Sequence, residues 1–180
     1  PISAPAKVTY MRGVPAARSS SRASLKDIES GPPVTLEESV VGVPAEAPEG
    51  PGYYLIHQPA ETLEAAATDV YHGFCELTGH PGGDAVERIA AVCGMNRIDP
   101  QDVLFVDLET TGLSMTPVFL IGTMECSGDG LHFRQYFARD YSEEISILSA
   151  FSKQLQQARM IVTFNGKSFD IPFLNNRAVA

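Results

Sequence analysis

The 180-residue sequence has no tryptophan, only three cysteines and four histidines, and no Lys or Arg anywhere from Asp27 to Glu87. Each scarcity excludes something. Cys75, Cys93 and Cys126 are too few and too scattered for a disulfide framework or a four-cysteine zinc site, which points to a reducing compartment, the cytoplasm. No run approaches the roughly 18 to 20 apolar residues of a bilayer-spanning helix, and the first 30 residues lack the basic, apolar and small-residue order of a signal peptide. The chain therefore reads as soluble, with no membrane partner. The 27–87 stretch carries twelve acids and would repel a phosphate backbone, so any nucleic-acid contact must come from elsewhere.

What is present is enough for a core, with 44% hydrophobic residues under a formal net charge of −9. Residues 1–33 are rich in Ala, Ser, Pro and Arg without periodicity, the composition of a disordered tail. The 34–99 region reads as a hairpin followed by helices. Val40-Val41 and Tyr53 to Ile56 flank the turn-forming Pro48 to Gly52, and Leu63, Ala66, Ala67, Val70, Phe74 and Leu77 lay one stripe along a helix ending near Gly79. From 100 to 180 the texture becomes α/β. Val103 to Val106 is a continuous apolar run, as in a strand covered on both faces; Val118 to Met124 and Leu131 to Phe137 form an antiparallel pair about Ser127-Gly128-Asp129-Gly130. A helix over 142–158, with Ile145, Leu148, Phe151 and Leu155 on one face and Glu143 and Glu144 opposing its dipole, leads to a strand from Met160 to Phe164. Hairpin-linked strands followed by a helical crossover to a strand beside the first make the opening of a ribonuclease H-like mixed sheet.

Asp107-Leu108-Glu109 ends the first of these strands, and residues i and i+2 of a strand share a face. Two carboxylates so placed repel unless cations lie between them, and hard divalent ions, Mg²⁺ or Mn²⁺, suit oxygen ligands. The plainer alternative is a turn-capping Asp107 and a solvated Glu109. Thr110-Thr111-Gly112-Leu113 then supplies a tight turn whose backbone can approach a phosphate or sugar. Phe164-Asn165-Gly166-Lys167-Ser168-Phe169-Asp170 leaves the later strand through a second glycine turn and delivers a third carboxylate.

D-x-E-T-T-G and N-G-K-S-F-D, each after an apolar strand, resemble the first two motifs of the DEDD 3′→5′ exonuclease superfamily. Leu104 to Arg177, including Phe119-Leu120-Ile121-Gly122 and Gln135-Tyr136-Phe137-x-Arg139-Asp140, is similar to the YprB ribonuclease H-like domain family. The resemblance implies phosphodiester hydrolysis at a single-stranded 3′ end of DNA or RNA with two Mg²⁺ or Mn²⁺ ions held by Asp107, Glu109 and Asp170. It also implies that Thr110, Thr111, Gly112 and Leu113 lie against the terminal nucleotide, with Asn165 and Lys167 contributing to the same substrate site. The family's third motif, a His or Tyr base followed by a fourth Asp, has no counterpart up to Ala180. That departure, with the opening on Pro1, implies a fragment truncated at its C-terminus, lacking the closing strand and helices and inactive alone. Rival readings on the same fold are a non-catalytic nucleic-acid-binding module and a protein-interaction module using the acidic 27–87 region. His72, Cys75, His80 and Cys93 fit no common zinc spacing, and Lys167 lacks the upstream glycine of a P-loop.

Overall fold

The computed structural model describes residues 35–79, 84–112, 116–166 and 169–178. The tail expected over 1–33 and the Pro81-Gly82-Gly83 break lie outside the described residues. Six strands form one mixed sheet: β1 (Val43–Ala45), β2 (Tyr53–Pro59), β3 (Val103–Thr110), β4 (Val118–Ser127), β5 (Gly130–Phe137) and β6 (Met160–Thr163), in the order β1-β2-β5-β4-β3-β6. All neighbours are antiparallel except β3 and β6, which run parallel with Val103 opposite Met160 and Val106 opposite Thr163. This is the expected ribonuclease H-like α/β arrangement, and the sheet is open rather than closed into a barrel. The N-terminal hairpin is continuous with it, because β2 pairs with β5 over six residues from Tyr54↔Phe137 to Pro59↔His132.

Strand alternation sorts the side chains onto two covered faces. On one, Leu104, Val106 and Leu108 of β3 pack with Ile121, Tyr136, Tyr53 and the helix α4 (Glu144–Leu155) through Ile147 and Phe151, and with α5 (Asp170–Ala178) through Phe173. Ile121, Ile147 and Val118 are wholly buried, each stabilising by about 1.5–3 kcal/mol. On the other face, Val103 and Phe105 meet Ala90 of α3 (Asp84–Val92) and Met95 and Ile98 beyond it, while α2 (Ala67–Gly79) lays Ala67, Tyr71 and Phe74 against Met124, Cys126 and Phe133.

Four local expectations are corrected. The first hairpin strand forms at Val43–Ala45, not at Val40-Val41; Val41 is exposed, and the Val40 carbonyl accepts a hydrogen bond from the Tyr54 hydroxyl at 3.0 Å. In α2 the buried stripe is rotated. Leu63 precedes the helix and Val70 and Leu77 are more than half exposed, because Tyr71 anchors the helix through its hydroxyl to the Ser127 carbonyl (3.0 Å) and Phe74 packs edge-on against Phe105. In α4, Ile145 is exposed and Ile147 buried. Glu143 and Glu144 stand at the helix start as expected, and the correction is to their surroundings, since both are buried ion-pair members. Glu144 accepts the Val118 N–H at 3.0 Å and pairs with Arg177, joining α4, β4 and α5. Its neighbour Glu143 is held below the ordinary carboxylate range by hydrogen bonds from Arg139, against the opposing effect of burial.

Candidate active site

β3 runs past its apolar half, so Asp107 and Glu109 lie within the strand, on the face of Val103 and Phe105 but beyond the cover of α2 and α3, and both are exposed. Opposite them on β4 stand Gly122, partner of Asp107, and Leu120, partner of Glu109. The register shifts between Glu109 and Thr110, an irregularity of the kind that re-aims side chains beside functional sites. The threonines that follow build the turn. The Thr110 hydroxyl donates to the Gly112 carbonyl at 2.6 Å, the Thr116 hydroxyl donates to the same oxygen at 2.9 Å, and the Thr111 N–H donates to the Pro117 carbonyl at 3.4 Å. Leu113 lies outside the described residues.

Because β6 runs parallel to β3, its C-terminal exit opens at the same end of the sheet as the acids. The chain leaves Thr163 through Phe164, Asn165 and Gly166 and re-enters helix at Asp170, the first residue of α5. Asp170 is only 2% exposed. Its carboxylate accepts the Asn165 N–H at 3.2 Å. Burial raises the Asp170 carboxyl above its ordinary value and the nearby Asp107 carboxylate adds to the shift, while the Asn165 N–H and the Thr163 hydroxyl oppose it. Gly166 is required here: a Cβ would sit 2.0 Å from the Thr163 hydroxyl, the group that steadies Asp170. Lys167 lies outside the described residues.

Asp107, on β3, and Asp170, at the start of the helix that follows β6, thus stand within electrostatic reach, and Glu109 shares the face of Asp107. Residues 104–180 match the RNase H superfamily. No curated protein matches the chain, and no solved structure does. The RNase H-like segment begins on β3 and contains every residue of this constellation, whereas β1, β2, α2 and α3 precede it.

The donor set fits a hard divalent cation in its chemistry, since a buried carboxyl raised in part by a second carboxylate is what a shared cation would relieve. Among the described residues, no three His, Cys, Asp or Glu side chains are grouped closely enough to hold a metal ion. That applies equally to His72, Cys75 and Cys93; His80 lies outside the described residues. No helix among the described residues is long and apolar enough to cross a membrane. Sequence reasoning missed Thr163, Gly122 and Phe164 as members of this region. Only Gly122 carried a signal, a glycine inside a strand.

Proposed function

We propose that this chain carries the metal-binding half of a nuclease that hydrolyses phosphodiester bonds, of the DEDD 3′→5′ exonuclease kind and related to the YprB domains, acting in the cytoplasm on a single-stranded 3′ end of DNA or RNA. The observation that carries the reading is the Asp107–Asp170 pair, one carboxyl on β3 and the other at the start of the helix after the parallel strand β6, at one end of an RNase H-like sheet, the second buried and shifted upward partly by the first. Asp107, Glu109 and Asp170 would hold Mg²⁺ or Mn²⁺. Such ions, when bound, ionise water near neutrality and offset the charge developing on the attacking and leaving oxygens. The chain's own residues do the rest: Asn165 and Thr163 hold the Asp170 carboxylate in place, and the 110–113 turn, Asn165 and Lys167 bind the terminal nucleotide. Residues 100–180 act as the nuclease domain and 34–99 as its extension.

The test is cleavage of a labelled single-stranded oligonucleotide by the full-length protein with Mg²⁺ or Mn²⁺. Asp107→Asn removes a ligand's charge without changing its size and should lower the rate by at least about 10²-fold, with an unchanged circular-dichroism spectrum. Undiminished cleavage by that variant would locate the active site elsewhere. A second reading, a non-catalytic nucleic-acid-binding module, is favoured by the absence of a three-acid group among the described residues; binding by the wild-type protein without metal-dependent cleavage would establish it.

A further inference from the structure

Phe164 is 99% exposed, the most exposed of the large apolar side chains among the described residues, and it borders the acids. Thr163 pairs with Val106, so Phe164, the first residue beyond β6, and Asp107, the next residue of β3, each follow directly on that pair. Leaving a whole phenyl ring in water forgoes the stabilisation that burying it would bring. No packing of Phe164 offsets this: the ring contacts nearby are made by others, Phe169 with Phe173 and Phe119 with Phe137.

A second observation lies on the other side of Asp107. Gly122, in the middle of β4 and opposite Asp107, has no crowding where its side chain would be; an added Cβ would make one ordinary contact, with the Asp107 carbonyl at 3.8 Å. Interior strand glycines weaken a sheet and mark places where another molecule approaches the backbone. From β6 to β4 the surface therefore reads as an exposed aromatic ring, a carboxylate, and a bare strip of backbone.

We propose that Phe164 is a base-stacking platform: an unpaired nucleobase of the substrate lies on its ring while the adjoining sugar-phosphate crosses Asp107 over the strip bared by Gly122. This rests on the nuclease reading and adds to it a specificity. A flat, apolar ring accepts the face of any base and discriminates by whether the base is free to stack, so the preferred ligand is single-stranded and the sequence preference weak. The acids beside the ring supply no attraction for phosphate, so stacking contributes affinity at the point where charge works against binding.

The experiment measures binding of a fluorescein-labelled single-stranded oligonucleotide to the full-length protein in EDTA, alongside cleavage in Mg²⁺. The ligands are a mixed-sequence oligonucleotide and a wholly abasic deoxyribose-phosphate oligomer of equal length. Phe164→Ala should weaken binding of the oligonucleotide by about 5- to 150-fold, the range for losing one base–aromatic stack, and leave the abasic oligomer unaffected. Phe164→Trp should restore binding, and 2-aminopurine in the oligonucleotide should be quenched by the wild-type and Trp proteins but not by Phe164→Ala. Equal binding by Phe164→Ala and wild type, or an equal loss on the abasic oligomer, overturns the proposal while cleavage by wild type leaves the nuclease reading intact. A wild-type protein that neither binds nor cleaves overturns both.

Discussion

Asp170 carries a conflict between folding and chemistry. Its carboxyl is raised in the folded protein, so the fold retains a proton that the unfolded chain releases, and stability falls as pH climbs from the ordinary aspartate value near 4 through the raised one. Above that window the penalty is fully present. Asp170→Asn, uncharged at every pH, should therefore unfold at a higher temperature than wild type at pH 7.5 without metal, with the advantage vanishing near pH 4 and below. A lower melting temperature for this variant at pH 7.5 would mean that the carboxylate's hydrogen bonds outweigh its burial. The acids themselves were legible in the sequence, because strand periodicity puts Asp107 and Glu109 on one face whatever the rest of the fold does. The burial of Asp170 was not legible. It goes with the Asn165 N–H bond to its carboxylate and with Gly166 lying against Thr163, contacts that no local pattern encodes.

Elements were easier to find than to orient. The 3.6-residue period located α2 and α4 and, in α4, the packed face as well, since Leu148, Phe151 and Leu155 meet the core and Ile145 alone of the expected four does not; in α2 the inward face is rotated from the one expected, anchored by Tyr71 on the Ser127 carbonyl. A glutamate at a helix start reads equally as a dipole partner or a buried clamp, and only the neighbours distinguish them. Glu144→Ala leaves the Val118 N–H and Arg177 without their partner, and should cost about 3 kcal/mol in urea unfolding. Glu144→Gln, which keeps an acceptor, should cost less. A loss below about 1 kcal/mol for the alanine variant would show that the three elements do not depend on the clamp. At the end of the sheet, β6 is four residues long and carries Ile161 and Val162 at more than a third exposure. Val162→Lys should reduce concentration-dependent self-association measured by light scattering, since a charge on an end strand opposes strand addition. Unchanged scattering would place the sticky surface elsewhere.

Across the whole molecule, charge and cation binding should act on stability together. If Asp107 and Asp170 share a divalent ion, Mn²⁺ at about 100 times its dissociation constant stabilises the folded state by about 2.7 kcal/mol and raises the melting temperature by several degrees. Thermal scans with Mn²⁺ and with EDTA should differ for wild type and coincide for Asp107→Asn; a wild-type transition indifferent to Mn²⁺ would remove the shared ion. The sheet's connectivity has a consequence in time rather than in energy. Tyr54 must wait for Phe137, and the Gly52 N–H finds the Ser146 hydroxyl 94 residues farther along the chain. A ribosome adding about 5–20 residues per second therefore holds the β1–β2 hairpin without its partner strand for roughly 4–16 s. The hairpin is thus made well before it is secured, and slowing translation across β3 and β4 should prolong the interval in which it is open to a protease or a chaperone.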